Sequence, residues 1–418
     1  MILEFFNLDK EKIKYFTLLL FEKICFIGFH LYFVNEISRD YYGIFTQTNY
    51  ISSFISNILL FGFAIPFLIN STRTKNVYDN DIFQFFKSFS ILISFLIIPI
   101  FLIFGLYFSN FIYGDDIYLN YIPIILLTVI ADTISEYFNL HNRIKSNLSV
   151  YSNFILLRTL VRIISILSIF IITEDFFVSY FISSLIFLTY VIFSSRSIGF
   201  FSYSSLKLFK DLRHTIYRLF NDGLKFLSLY ILNTASGLLV NLILVNRFDV
   251  ETLAIYSFNL TIASIPITIS QYITFYSLPD FSKKFFSKKS EGRVSLFKDI
   301  IFSTSIFMII FIIIYFTYDI IFLNFINSEY SNKNLFILVF LANTLLMINN
   351  FIQFPLLSEN KYTSVLSIVS FSLLVNVIYL FIKFESITIF TPVIGLLIAN
   401  SLMLVLLLFY NFNLKNVK

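Results

Sequence analysis

Long apolar runs follow one another along the whole chain, and polar residues are confined to the gaps between them. Residues 41–70, 88–114, 252–279, 334–358 and 386–414 contain no Asp, Glu, Lys or Arg. The pattern predicts twelve spans, over 13–34, 41–69, 85–109, 118–140, 148–172, 176–198, 222–246, 252–277, 299–323, 334–354, 362–382 and 388–411. An apolar stretch of about 20 residues matches the roughly 30 Å hydrocarbon layer of a bilayer when helical. Backbone amides in lipid need partners within their own segment, so each run is expected to be a helix. A transmembrane barrel would alternate apolar and polar positions over roughly ten residues, and these runs stay apolar for far longer. The expected fold class is all-α, a polytopic membrane protein.

Composition sharpens this picture in a few places. Hydrophobic residues make up 58% of the 418 positions and charged residues 13%, well away from soluble proteins on both counts. Trp is absent, so an aromatic belt at the membrane interfaces falls to the 26 tyrosines. The single cysteine, Cys25, excludes an intrachain disulfide framework. With three histidines beside it, a Cys/His metal site is not expected, and no cofactor is implied. The net charge of +5 carries no nucleic-acid signal. Lys10, Lys12 and Lys14 precede the first apolar run, but no small-residue cleavage pattern follows, so the first span is expected to act as a retained signal anchor.

Lys and Arg crowd into alternate gaps. One set of gaps and ends holds 21 of the 30, from Lys10 through Arg73, Arg143, Lys207 and Lys283 to Lys418. The opposite set holds four: Arg39, Arg247, Lys333 and Lys383. Five lie in or beside spans: Lys23, Lys87, Arg158, Arg162 and Lys225. The positive-inside rule then places both termini in the cytoplasm, with Asp115–Asp116 and Glu174–Asp175 outside. The longest hydrophilic stretches, 196–221 and 279–298, become basic cytoplasmic loops. Lys283, Lys284, Lys288 and Lys289 are expected to fix topology there; the alternative is that they attract anionic lipid headgroups.

Dividing the chain near residue 205 leaves six spans in each half, 1–205 and 206–418. The halves echo one another. Asn35 begins a segment ending Gly43-Ile44-Phe45-Thr46, and 211 positions later Asn246 begins one ending Ala254-Ile255-Tyr256-Ser257. The pattern predicts two pseudo-symmetric six-helix bundles with a substrate path between them near the midplane.

Seven of the charges inside or near the ends of spans stand out. Glu22 and Lys23 sit at the centre of the first, and Arg158 and Arg162 lie one helical turn apart in the fifth. Asp132 and Glu136 lie one turn apart in the fourth, and Lys225 is near the end of the seventh. Each costs about 2.5–3.5 kcal/mol at a helix centre on insertion scales, so they are expected to face a cavity or one another. Two guanidiniums at i and i+4 repel and call for an anion between them. Arg matches phosphate oxygens with paired hydrogen bonds, so a phosphate or pyrophosphate is one candidate. The alternative is that Glu22, Asp132 or Glu136 neutralises them permanently. The same three carboxyls are candidates for carrying a coupling proton. Asn49, Asn57, Asn233, Asn241, Asn259, Gln271, Asn343, Asn349, Asn350 and Asn376 fit either a sugar-compatible path or interhelical hydrogen bonds. No G-x-x-x-x-G-K-[ST] loop or H-E-x-x-H motif is present.

The stretch Asn246-Arg247-Phe248-Asp249 through Ala254-Ile255-Tyr256-Ser257 and on to Pro279-Asp280-Phe281-Ser282 resembles the bacterial polysaccharide flippases of the O-antigen (Wzx) type. It looks like their short turn, "G-x-Y-S" span and "P-x-x-S" exit, with Ala254 where glycine is commoner. These flippases stand in the superfamily that includes the MATE multidrug exporters. The resemblance implies a MATE-like fold in the bacterial cytoplasmic (inner) membrane, without enzyme activity. It implies alternating access through a central basic cavity, carrying a polyprenyl-pyrophosphate-linked oligosaccharide. Lys23, Arg158, Arg162 and Lys225 would line that cavity, with membrane lipids, a polysaccharide polymerase and a chain-length regulator as partners. Proton or sodium coupling is left open. Two other readings stand beside it: a small-molecule or drug antiporter of the same fold, and a membrane-embedded polysaccharide polymerase.

Overall fold

In the computed structural model the described residues are 10–64, 67, 80–145, 147–198, 209–264, 267, 289–325, 328–359 and 361–416. They form thirteen helices in the order α1 (Lys10–Glu36), α2 (Arg39–Leu59), α3 (Asn80–Ile103), α4 (Gly105–Tyr113), α5 (Ile122–Ile144), α6 (Leu148–Thr173), α7 (Phe176–Ser195), α8 (Phe209–Arg247), α9 (Val250–Ala263), α10 (Lys289–Phe325), α11 (Lys333–Ser358), α12 (Tyr362–Ile382) and α13 (Thr391–Asn416). Every predicted span has its helix. Among the described residues, nine stretches are helical, long and apolar enough to cross a membrane. Their outer faces carry exposed Ile103, Ile172 and Phe381, as lipid contact requires. The ends of the second and eighth spans, the Pro279–Ser282 exit, and Lys283, Lys284 and Lys288 lie outside the described residues.

Two details differ from the sequence reading. The third span is broken at Phe104 (φ −98°, ψ 19°) into α3 and α4. The described part of the loop read over 196–221 is helical, a short turn at Arg196–Ile198 and α8 from Phe209. Ile216 and Leu219 are buried there while Tyr217 and Arg218 are exposed, so this segment is amphipathic, with its apolar stripe in the core. The basic side chains hid that stripe.

The turns have local causes. Gly114, in the left-handed region at φ 75°, ends α4 and donates its N–H to the Asn110 carbonyl at 2.9 Å. The acidic pairs are largely caps. Asp115 accepts from the Ile117 N–H at 3.0 Å, which holds its carboxyl below the usual aspartate range. Asp175 accepts from the Val178 N–H at 3.0 Å and starts α7. Asp249 accepts from the Thr252 N–H at 2.6 Å and starts α9.

The chain divides into two compact units, Met1–Phe33 with Ile44–Leu224, and Val34–Gly43 with Lys225–Lys418. A boundary at residue 205 lies outside the described residues. In the first unit α1 and α6 run parallel, since Tyr15 meets Tyr151, Glu22 meets Thr159 and Phe33 meets Phe170 in ascending order. α7 packs on both α5 and α6, and α3 packs on α5. Lys87 of α3 is 1% exposed and donates to the Ile198 carbonyl at 2.7 Å. A cation on the last carbonyl of a helical turn is favourable.

In the second unit α11 packs against α9 and α13, and α12 against α13. Asparagine amides join them: Asn349 donates to the Asn400 carbonyl at 2.9 Å, Asn400 to the Ala342 carbonyl at 3.0 Å, and Asn343 to the Ala263 carbonyl at 3.1 Å. Arg39 pairs with Glu251 at 2.6 Å and Glu329 at 3.3 Å. Part-exposed pairs of this kind add at most about 1 kcal/mol each. The helix boundaries repeat. A shift of 211 residues takes the Glu36–Arg39 turn onto Arg247–Val250, and one of 214 takes Ile144–Leu148 onto Ser358–Tyr362.

Two stability predictions follow from close approach and capping. A Cβ on Gly223 would lie 2.6 Å from the Phe61 carbonyl oxygen, a backbone atom held where Phe61 and Gly62 both have positive φ. Gly223→Ala should cost about 1–3 kcal/mol and lower the melting midpoint in detergent. Asp249→Ala should cost about 0.5–2 kcal/mol through the lost cap, with Asp249→Asn retaining most of it; the same thermal melt reads both.

Candidate functional site

Helix α2 carries no charge after Asp40, yet small polar residues recur on it at Asn49, Ser53 and Asn57, one turn apart, with Ser56 beside them. That stripe, the polar faces of α5 and α6, and the centre of α1 meet around one cavity of about 260 Å³. It is lined by Glu22, Phe26 and Phe29 of α1; Phe45, Asn49, Ser53, Ser56 and Asn57 of α2; Asp132 and Glu136 of α5; Arg158, Thr159, Arg162, Ile163 and Ile166 of α6; and Phe187 of α7. All of these belong to the first unit.

The charged groups are held individually. Glu22 is buried and accepts from the Thr159 hydroxyl at 2.7 Å. Arg158 donates to the Ser135 hydroxyl at 2.9 Å and stands 3.6 Å from the Glu136 carboxylate. Glu136 also accepts from the Asn139 amide at 3.2 Å. Arg162 donates to the Asn49 side-chain oxygen, which also accepts from the Tyr180 hydroxyl at 2.9 Å. The Arg162 guanidinium lies 5.2 Å from the Phe187 ring centroid, within cation–π range. Among the described residues no carboxylate reaches ion-pair distance of Arg162, and Asp132 has no hydrogen-bond or ion-pair partner.

Five of the seven intramembrane charges singled out in the sequence therefore share one cavity: Glu22, Asp132, Glu136, Arg158 and Arg162. Lys23 does not line it; its ammonium lies 4.6 Å over the Phe26 ring. Lys225 is exposed, belongs to the second unit, and lies 5.8 Å over the Tyr362 ring. Three carboxyls and two guanidiniums line this cavity. Its lining comes from the first unit, where the three charge-bearing helices α1, α5 and α6 meet α2 and α7.

Ser135, Thr159, Tyr180 and Phe187 were not visible as site residues in the sequence. Thr159 and Ser135 are neighbours of charged positions, and nothing in a single chain ties them across 137 and 23 residues to Glu22 and Arg158. The α2 stripe was legible as a spacing of four. The asparagines divide: Asn49 and Asn57 line the cavity, whereas Asn259, Asn343 and Asn349 hydrogen-bond to backbone carbonyls of the second unit. Gln271 lies outside the described residues. Among the described residues no His/Cys/Asp/Glu cluster is arranged to hold a metal ion.

No family model matches the chain. No curated protein matches it either. Solved structures do. An aspartate-to-asparagine mutant of the Vibrio cholerae MATE transporter VcmN aligns over 97% of both chains with a TM-score of 0.73 and 13% identity. The outward-facing conformation of a multidrug resistance MATE family transporter of the MOP superfamily aligns over 96% of this chain and 93% of its own, at TM-score 0.61 and 12% identity. The MATE transporter ClbM in complex with Rb+ aligns over 95% and 90%, at 0.52 and 16%. At such low identity and nearly complete coverage, what is shared is architecture: the chain is an all-helical membrane protein with the fold of the MATE transporters.

Proposed function

We propose that the protein is a membrane exporter that carries the headgroup of a polyprenyl-pyrophosphate-linked oligosaccharide across the bacterial cytoplasmic membrane by alternating access, with a proton moving the opposite way through Asp132. One observation carries the reading: among the described residues, Arg162 lines an intramembrane cavity with no carboxylate at ion-pair distance. Its planar group has five N–H donors, and Asn49 takes only part of them. A guanidinium so placed favours a diphosphate, whose oxygens it meets two at a time. The volume of about 260 Å³ is below the roughly 300–1,000 Å³ typical of pockets that enclose a drug-sized ligand. The cavity therefore handles charge, while sugars and polyprenyl chain stay outside it. Asp132, on the same wall, supplies a carboxylate whose charge changes with a proton.

A second reading has its own support. Three carboxyls against two guanidiniums suit a cation, and structural neighbours include a multidrug resistance transporter and a complex with Rb+. On this reading the protein is a cation-coupled antiporter of small molecules.

Replacing both arginines, Arg158→Ala with Arg162→Ala, separates the two. Lipid-linked repeat units should accumulate on the cytoplasmic face, with surface polysaccharide down at least tenfold at equal protein level. Unchanged polysaccharide would remove the first reading; lost efflux of a cationic dye would then support the second. Asp132→Asn should abolish the dependence of transport on an imposed pH gradient in proteoliposomes. Persistence of that dependence, or its replacement by a sodium gradient in the unaltered protein, would rule out proton coupling at Asp132.

A further inference from the structure

Glu136 borders two cavities. One is the 260 Å³ cavity already described; the other is a smaller one of about 40 Å³, lined also by Asn139, Arg143 and Tyr151 with apolar Leu60 and Phe63. A water needs roughly 10–15 Å³ of such volume and two to four polar partners, and this space supplies both. Asn139 adds an independent sign. Its amide nitrogen donates to Glu136 at 3.2 Å, while its side-chain oxygen, in a residue 4% exposed, has no hydrogen-bond partner among the described residues. A buried carbonyl oxygen facing a water-sized polar cavity is an acceptor for water.

We infer that Glu136 is a proton relay joining Asp132 to the basic end of α5 through the smaller cavity. This deepens the proton-coupled reading above and rests on it. Asp132 to Glu136 is one turn, about 6 Å of rise, and Glu136 to Arg143 is about 10 Å more. Arg143 lies in the last turn of α5, beside Lys145, on the side the charge distribution assigns to the cytoplasm. The step balances simply. A neutral Asp132 carboxyl passes its proton through water to the Glu136 carboxylate and becomes anionic; Glu136 then passes that proton to water in the smaller cavity and returns to its charged form. The titratable or charged groups around Glu136 are Asp132, Tyr137 and Arg143 of α5, Tyr151, Arg158 and Arg162 of α6, and Glu22 of α1; α2 presents only uncharged residues to it. The Arg158 guanidinium stands 3.6 Å from the Glu136 carboxylate.

Time-resolved infrared spectroscopy after a pH jump, on protein reconstituted in lipid, tests this with the proton itself as the probe. The protonated-carboxyl band that Asp132→Asn removes should rise at least tenfold more slowly in Glu136→Gln and in Asn139→Leu, with its final amplitude kept. Glu136→Asp should restore most of the rate. An unchanged rate in either folded variant, checked by thermal melt, would overturn the relay. If the unaltered protein has no band that Asp132→Asn removes, the proton-coupled reading itself fails, an outcome distinct from a normal band with normal kinetics.

Discussion

Hydrocarbon solvates neither a peptide group nor a charge, and this constraint decides where every polar atom of the protein goes. Helices dispose of the backbone. Side chains must then find partners among themselves, and the two units do so differently. The second unit uses neutral amides on backbone carbonyls, such as the Asn349–Asn400–Ala342 chain between α11 and α13. Such bonds have no alternative protonation state at ordinary pH and act as fixed ties. The first unit gathers five ionisable groups around a cavity. The same constraint yields neutral amide ties in one unit and a charged cavity lining in the other.

The sequence made the spans legible because each is a run of apolar residues, and run length is a local property. The caps were not read there: Asp175 and Asp249 precede their helices and accept from the Val178 and Thr252 N–H groups. The amphipathic start of α8 was missed, because Ile216 and Leu219 are two positions among basic neighbours and do not form a run. The site was legible only in part. Spacing put Arg158 and Arg162 on one helical face, and Asp132 and Glu136 on another. It gave no information on how those faces are turned toward each other. Whether an arginine meets a carboxylate, a serine or an amide depends on the azimuth of one helix against the next, set by packing over more than a hundred residues. Glu22 and Lys23 show the limit: adjacent in sequence, they point about 100° apart, and only Glu22 reaches the cavity.

Charge balance in the cavity carries the synthesis one step further. With every group ionised, Glu22, Asp132 and Glu136 outweigh Arg158 and Arg162 by one negative charge. A net charge in a poorly solvated space is costly, since two unit charges 4 Å apart interact by about 4 kcal/mol even at an effective dielectric of 20. One proton, or one monovalent cation, brings the lining to neutrality. Glu136 stands 3.6 Å from the Arg158 guanidinium, and Glu22 accepts a hydrogen bond from the Thr159 hydroxyl. Asp132 alone of the three has neither contact among the described residues, and it is the carboxyl to which the proposed reading assigns the proton. An arriving anionic headgroup would deepen the imbalance to the extent that Arg162 does not compensate it, and so would draw that proton more tightly. On the proposed reading, cargo and coupling ion are linked by this arithmetic of one charge, without any requirement that they touch.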